Sequence, residues 1–491
     1  MVDAKLWERI DKQIKGEEVI IVDSEDTAQQ IAADFINQEN EKKGLIISED
    51  QKKELEKSIT NYFGKRDLAD KILNIQPLHY DENKIWWIWD NKSLKWKISD
   101  ETDILNFVRK LSSFNTVKSK EKIEILEALK QESRLRKPKQ IKNSWIQFKD
   151  IIFDIETGEE FKVSPEYFVT NPIPYQLHKE KFFETPTMDR IFAEWVGEKY
   201  VKTLYQIIAY CLLPDYPIHR LFCLIGEGMN GKSCFLRLLR KFVGEENVTA
   251  TELDTLLSSR FEVTRLHKKL VCVMGETNFS EISKTSILKK LTGQDTIGFE
   301  YKNKTPFDDI NYAKIIIATN NLPTTTDKTT GFYRRWFIID FPNRFSEKKD
   351  ILESIPEEEY EFLAVKCSIL LKELLEKREF LNEGSIEERA KKFEDHSDPL
   401  EKFLKEFTEE DLNSHIWKFE FEKRLNNWCK ENRFRTMADF IIGKKMKEKG
   451  IEQIQRESDW LIDGVHKTLR AWSGIKWKGG FQEQESQGKQ G

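Results

Sequence analysis

The stretch Leu221–Val243 reads LFCLIGEGMNGKSCFLRLLRKFV. It opens on a continuous apolar run, LFCLI, the pattern of a parallel strand buried on both faces. It closes on SCFLRLLRKFV, where Phe235, Leu239 and Phe242 fall at helical spacing. Between the two stands Gly226-Glu227-Gly228-Met229-Asn230-Gly231-Lys232-Ser233, which fits G-x-x-x-x-G-K-[ST]. The two outer glycines let the chain curl until its N–H groups point inward at phosphate oxygens. Lys232 sets a positive charge against the β- and γ-phosphates, and the Ser233 hydroxyl is a ligand for Mg²⁺. The helix that starts near Lys232 adds its positive dipole end. Strand, glycine loop and helix in that order make Gly226 through Cys234 the candidate ATP contacts.

Working outward, three more short apolar runs follow: LVCVM (270–274), KIIIAT (314–319) and WFIIDF (336–341). Helical segments separate them, so residues 186–345 read as an α/β domain around a parallel sheet. Upstream, IAADFINQ and LEKSITNYF carry helical spacing within the charged stretch 1–72. IWWIWDNKSLKWKI (85–98) reads as a strand pair turning at Asp90-Asn91. Residues 100–140 read as helical, opened by Asp100 with Asp103. WIQFKDIIFDIETGEEFKV is a second β-rich passage, turning at Thr157-Gly158. These place an α+β region at 73–185.

Downstream, the charge changes sign. Residues 345–412 hold 21 acidic against 11 basic side chains, and residues 416–478 hold 15 basic against 9 acidic. That reversal separates an acidic helical connector at 346–398 from a basic domain at 399–478. The tail 479–491, rich in Gly, Gln and Ser, reads as disordered.

Composition narrows the class. The chain has 491 residues, is 39% hydrophobic and 34% charged, and carries a formal net charge of -5. It is not a polycation, so any nucleic-acid site must come from local clustering. Its six cysteines form no C-x-x-C pair and its seven histidines are scattered, which argues against zinc and against a disulfide scaffold. The first residues lack the apolar core of a secretion signal, and no run approaches the length of a membrane span. The expected setting is the cytoplasm, away from membranes.

Three features extend the phosphate site. Glu276, after LVCVMG, can polarise the attacking water or hold Mg²⁺ through a water. As a lone carboxylate it would equally cap a strand. Gly275 stands where many such ATPases carry an Asp, so Glu276 takes both tasks or another acid helps. Asn320, at the end of KIIIAT, can orient the water and sense the γ-phosphate, or simply make the turn of NNLP. Arg334 and Arg335, in GFYRRW, are costly to bury without anions. They read either as a surface ion pair or as an arginine finger reaching a neighbour's ATP. In TIGFEYKNKTPF, two short strands flank Lys302-Asn303-Lys304. The lysines would track phosphates in a channel, or form a solvated turn. Phe299 and Phe307 would brace that loop or touch bases, with bracing favoured.

The order of glycine loop, Glu276, KKLTGQD, ATNNLP and GFYRRW resembles the superfamily 3 DNA helicases. It is similar in particular to the phage/plasmid primase–helicase family that includes the poxvirus NTPase. The resemblance runs from roughly Ile75 to Trp477. It takes in QPLHYDENKIWWIWD and WIQFKDIIFDIETGE upstream, and HSDPLEKFLKEF and WCKENRF…GIKW downstream. It implies a multidomain α/β protein: a central AAA+ P-loop NTPase domain, a helical/β N-terminal region and a C-terminal winged-helix-like domain. It matches Gly231, Lys232 and Ser233 to motif A, Glu276 to the catalytic acid and Asn320 to the polar sensor. Arg334 and Arg335 match the finger pair, with Arg335 favoured, and the segment from Leu291 through Lys304 leads into a DNA-contacting hairpin. The implied activity is ATP- and Mg²⁺-dependent unwinding by a homo-hexamer on single-stranded and forked DNA, 3′→5′, beside a separate primase and polymerase, for a virus, plasmid or integrated element. Many relatives begin with a primase. Here the preceding residues show no D-x-D pair to hold two metals, so primer synthesis is not expected. The competing readings are a replication initiator with little unwinding and, from Gly275, an assembly protein whose site has decayed. For residues 416–478, a protein-docking cap competes with DNA binding.

Overall fold

The computed structural model describes residues 64–111, 119–178, 184–275, 281–282, 284–302, 304–346, 350–431, 434, 436–462 and 465–479. The segments IAADFINQ and LEKSITNYF, together with Glu276, Asn303 and the tail from residue 480, lie outside them. Among the described residues no helix is long and apolar enough to cross a membrane.

The chain divides into two units. The first comprises residues up to 141 together with 164–170. Here β1 (Leu78–Tyr80), β2 (Trp86–Asp90) and β3 (Lys95–Ser99) form an antiparallel sheet in that order. β2 ends at Asp90, where the turn was expected. Trp86, Trp87, Trp89 and Trp96 are all buried, so the aromatic run is core rather than surface. Helices α1 (Glu101–Leu111) and α2 (Ser119–Leu135) follow. Asp100 starts α1 by accepting the Asp103 backbone N–H at 2.9 Å, an N-cap bond. Residues 64–75 are also helical, so the expected boundary at 72 falls inside a helix. Ala69, Ile72 and Leu73 pack with Ile104, Val108 and Leu129.

The second unit comprises 142–163 and everything after 170. The expected region 73–185 is thus divided. Its second β passage, β4 (Trp145–Gln147), β5 (Ile151–Asp154) and β6 (Glu160–Lys162), forms an antiparallel sheet in this unit. Ile146, Phe148 and Ile155 enter the main core, which the sequence pattern alone does not reveal. Gly158, with φ 79, makes the expected turn. Helices α3 (Pro186–Val196) and α4 (Glu198–Tyr210) precede the central sheet.

That sheet holds β7 (Leu221–Ile225), β8 (Val248–Ala250), β9 (Val271–Met274), β12 (Lys314–Thr319) and β13 (Trp336–Asp340), all parallel, in the order β8-β9-β12-β7-β13. β7, β9 and β12 are buried at every position, as continuous apolar runs require. Inserted before β12 is an antiparallel hairpin, β10 (Thr296–Phe299) and β11 (Phe307–Ile310). Helix α5 (Lys232–Val243) follows the glycine loop and buries Phe235, Leu238, Leu239 and Phe242. Each such side chain contributes about 2 kcal/mol of burial free energy.

The acidic stretch is more than a connector. Helix α6 (Glu357–Lys377) buries Tyr360, Leu363, Cys367, Leu371 and Leu374 in the core shared with α3, α4 and α5. Its charges occupy the other faces, so net charge concealed a core helix. Helix α7 (Ile386–Ser397) starts on a capping box, with Ser385 and Glu388 bonding each other's backbone. Pro399 opens α8 (Pro399–Phe407), and Asp398 caps it.

The C-terminal part runs α8, β14 (Thr408–Trp417), α9 (Lys418–Glu431), α10 (Asp439–Glu448), β15 (Gln453–Ile462) and β16 (Val465–Trp477). The sheet order is β14-β16-β15, antiparallel. Leu400, Phe403, Phe421, Leu425, Ile442, Met446 and Trp472 form a separate core.

Candidate functional site

The glycine loop leaves the C-terminal end of β7 and curls into α5. Two of its glycines are obligatory on steric grounds. A Cβ at Gly226 would strike the Asn230 side chain and the Phe341 carbonyl, and one at Gly231 would strike the Trp195 indole. Gly231 also has φ 92, a conformation that glycine adopts without strain. Asn230 fixes the loop to the neighbouring strand by donating to the Phe341 carbonyl at 3.1 Å. The Phe345 N–H donates to the Met229 carbonyl at 2.7 Å from the same side.

Lys232 is 8% exposed. Its ammonium donates to the Gly226 carbonyl at 2.5 Å, to Asn230 Oδ1 at 2.9 Å and to Asn320 Oδ1 at 3.3 Å. The last bond joins two sequence-predicted residues 88 positions apart. It follows from topology. β12 lies beside β7 with Thr319 opposite Ile225, so Asn320 emerges at the mouth of the loop. β9 is next, with Met274 opposite Ile317, and delivers Gly275 to the same cleft. Glu276 comes one residue later, outside the described residues.

The cleft is about 1000 Å³ in volume. Gly228 through Cys234, Gly275 and Asn320 line one side, and Trp195, Arg237, Phe345 and Ile351 line another. Gly226 and Glu227 form the loop's entry just before it. Carbon-rich walls beside a glycine loop suit a base and ribose next to a polyphosphate. Among the described residues no group of three or more His, Cys, Asp or Glu side chains could hold a metal ion unaided. A Mg²⁺ ion that shares phosphate oxygens needs few protein ligands, and the Ser233 hydroxyl in the cleft wall fits that need.

Arg334 and Arg335 do not join this cleft. They precede β13, whose first residue, Trp336, pairs with Leu221 at the start of β7. The glycine loop sits past the other end of β7, roughly 16 Å along the strand. The two arginines also differ from each other. Arg335, 7% exposed, is built into its own chain. It donates to Thr292 Oγ1 at 2.9 Å, to the Lys289 carbonyl at 3.2 Å and to the Gly331 carbonyl. Burial pushes its pKa down. Arg334 faces solvent. The expected preference for Arg335 as a finger therefore meets a buried side chain, and Arg334 is the guanidinium available to a neighbour.

The hairpin carries Lys302 and Lys304 exposed at its tip. Below them Phe299 and Phe307 are buried and stack at 5.8 Å, so bracing, not base contact, is their position. His267 adds a wedge that neither spacing nor motif signalled. Its ring bonds Tyr301 Oη at 2.8 Å and Asp309 Oδ2 at 3.1 Å, and packs on both phenylalanines. Thr264 Oγ1 donates to the Glu300 carbonyl and accepts the Glu300 N–H. The hairpin is thereby fastened to the segment that leads into β9. Beside it opens a groove of about 530 Å³ lined by Phe261, Thr264, Arg265, Glu300, Tyr301 and Lys302. Phe261 is 49% exposed there. Its one signal in the sequence is an aromatic beside Arg260 in an otherwise polar SSRFE.

Residues 224–335 match a family described as a family of unknown function (DUF5906). The chain is 24% identical over 287 residues to a protein of Acanthamoeba polyphaga mimivirus named "Putative helicase L207/L206". That alignment covers 55% of this chain and 29% of the viral protein, so the chain spans well under half of its relative's length. Among solved structures, the apo structure of the NrS-1 C-terminal region (305-718) is similar at a TM-score of 0.44 and 13% identity, covering 84% of this chain and 99% of that one. Its A form gives a TM-score of 0.43 at 15% identity, covering 80% and 88%.

Proposed function

We propose that the protein is an ATP-dependent DNA helicase of the superfamily 3 type, an AAA+ motor that works as a homo-hexameric ring on single-stranded and forked DNA. The observation that carries this reading is the Lys232–Asn320 contact at the C-terminal edge of a parallel sheet whose opposite edge bears Arg334. A site with its phosphate grip at one end and its free arginine at the other is incomplete in one chain and complete between two. The mimivirus similarity supports the same direction.

In this reading Lys232 and the loop N–H groups bind the β- and γ-phosphates. Bound Mg²⁺, held by Ser233 and through water by Glu276, would neutralise charge on the transferred phosphoryl group. Asn320 orients the attacking water, with Glu276 as its base. Arg334 of the adjacent copy stabilises the charge that develops on the γ-phosphate. Hydrolysis shifts the segment before β9, to which Thr264 and His267 fasten the hairpin, and Lys302 and Lys304 move along the DNA backbone. Phe261 offers a base-stacking surface beside Lys302. The C-terminal order α8-β14-α9-α10-β15-β16 supports a winged-helix-like DNA contact, and its net positive charge suits phosphates. A separate primase and polymerase, 3′→5′ polarity and a role in replicating a mobile element belong to the same proposal.

The test is unwinding of forked DNA by protein sized with ATP and single-stranded DNA. A six-fold assembly that separates strands bears the proposal out. An assembly that binds DNA and ATP without strand separation would instead establish an initiator. Replacing both Lys302 and Lys304 with alanine is expected to remove the stimulation of hydrolysis by single-stranded DNA, while hydrolysis without DNA continues. It should also flatten the salt dependence of DNA binding, because each phosphate contact contributes about 0.7 to the slope on single strands. Undiminished DNA stimulation in that variant would refute the hairpin's role.

A further inference from the structure

One cation at the nucleotide site comes from outside the central sheet. Lys402, on α8, is half-buried and donates from Nζ to Asn321 Oδ1. Asn321 directly follows Asn320, the amide that meets Lys232. The Thr319 hydroxyl donates to the Asn321 carbonyl at 2.8 Å, which tightens the same turn onto β12. The negative charges of Glu227, in the glycine loop, and Glu406, one turn along α8, favour the charged ammonium at longer range. Burial alone lowers its pKa, to about 8, and the carboxylates oppose that fall. The Phe434 ring lies 5.7 Å from Nζ. Lys402 is therefore bonded to the turn that carries the sensor amide.

The mounting of Lys402 is rigid. Its neighbours Leu400, Phe403 and Leu404 are buried in the C-terminal core. Asp398, which caps α8, accepts from Lys445 of α10 at 2.5 Å, and Glu401 pairs with Lys449. By contrast, α7 has its own ties to the central sheet. Lys392 and His396 meet Asp340 at 2.6 and 3.0 Å, and Lys328 meets Glu394 at 2.5 Å. Those ties seat α7 without Lys402. A solvated surface lysine would need no amide partner. A half-buried lysine set on this one turn gives up part of its hydration, a cost that its bond to Asn321 helps offset.

We propose that Lys402 is a positioning residue of the nucleotide site, supplied by the C-terminal domain, which holds the Asn320–Asn321 turn in register for hydrolysis. It touches neither phosphate nor water in this scheme. It acts through Asn321, so its removal leaves a phosphate grip with a misplaced sensor. The inference rests on the nucleotide reading above and assigns to that site a residue from another part of the chain. It makes turnover contingent on the seating of α8.

The test uses the full chain with Lys402→Met, which keeps the length of the stem without its charge, and Lys402→Arg, which keeps the charge. ATP binding is measured first with a fluorescent ATP analogue and Mg²⁺, then kcat and KM for hydrolysis. Lys402→Met is expected to lower kcat about tenfold or more through misplacement of the sensor. Its KM should change little and its melting temperature should stay near wild type. Lys402→Arg should recover most of the loss. Asn321→Ala, which removes the acceptor from the other side, should reproduce the kcat defect even if the methionine variant folds poorly. A wild-type kcat in both Lys402→Met and Asn321→Ala overturns the inference and leaves the nucleotide reading intact. Equal losses in the methionine and arginine variants also overturn it. Failure of the unaltered protein to bind the analogue overturns the nucleotide reading itself, and this inference with it.

Discussion

Lys232→Ala is expected to abolish ATP hydrolysis, lowering kcat by at least about 10³-fold, and to abolish strand separation with it. The ammonium sits where the glycine loop, Asn230 and Asn320 converge, and nothing else cationic in the cleft wall stands there. Arg190 and Arg237 also line the cleft, but Arg237 is committed to Asp350 by two bonds of 2.8 Å. Alanine leaves the Gly226 and Glu227 carbonyls and the Asn230 and Asn320 amide oxygens at an open cleft that water can enter, so melting should shift little. The measurement is steady-state phosphate release beside a thermal melt. A variant that melts like wild type yet still hydrolyses ATP at more than a few per cent of its rate would remove the foundation of the functional reading.

The alanine variant also separates two tasks. The loop N–H groups and the start of α5 attract polyphosphate without the lysine. Binding should therefore weaken less than turnover. On the proposed reading the lysine's main contact is with the group being transferred, and charge on that group is greatest in the transition state.

The residues legible before folding were those whose role is set by local chain geometry. The glycine loop declared itself because strand, curl and helix must be contiguous. Asn320 was legible only as the end of a buried run, and its meaning came from β12 lying beside β7. Adjacency in sequence could not divide Arg334 from Arg335. One points to Thr292 and two carbonyls and the other to solvent, a difference set by the turn Thr330–Tyr333 and by which neighbours fill the space below it. β14, written TEEDLNSHIW, escaped because its charges hide any alternation, and it exists as a strand because β16 pairs with it. α6 does not read as a core helix because its acidic residues dominate the count while its apolar positions serve the core. Lys402 looked like one more charge on an amphipathic helix, and no local pattern says which charge on such a helix is buried.

Arg334→Ala and Arg335→Ala should fail in different ways. Arg335 makes its bonds inside its own chain, and alanine takes a donor from Thr292 Oγ1 and from the Lys289 and Gly331 carbonyls and leaves the space its side chain fills empty. The expected cost is on the order of 3 kcal/mol of folding stability, seen as a lower melting temperature. Arg334 has no such partner among the described residues, so its alanine variant should melt like wild type. It should still lose hydrolysis by about 10³-fold, the effect of removing an arginine finger. Geometry makes the loss curable. A subunit with Lys232→Ala retains Arg334, and a subunit with Arg334→Ala retains its glycine loop. Where the second presents its loop to the first, a complete site forms at their boundary. Mixing two inactive proteins should therefore restore ATP hydrolysis, most strongly near equal proportions. No recovery on mixing, with both variants folded and assembled, would mean that Arg334 does not act across a subunit boundary. The roughly 16 Å that part it from its own loop would then require some other source of positive charge at the γ-phosphate.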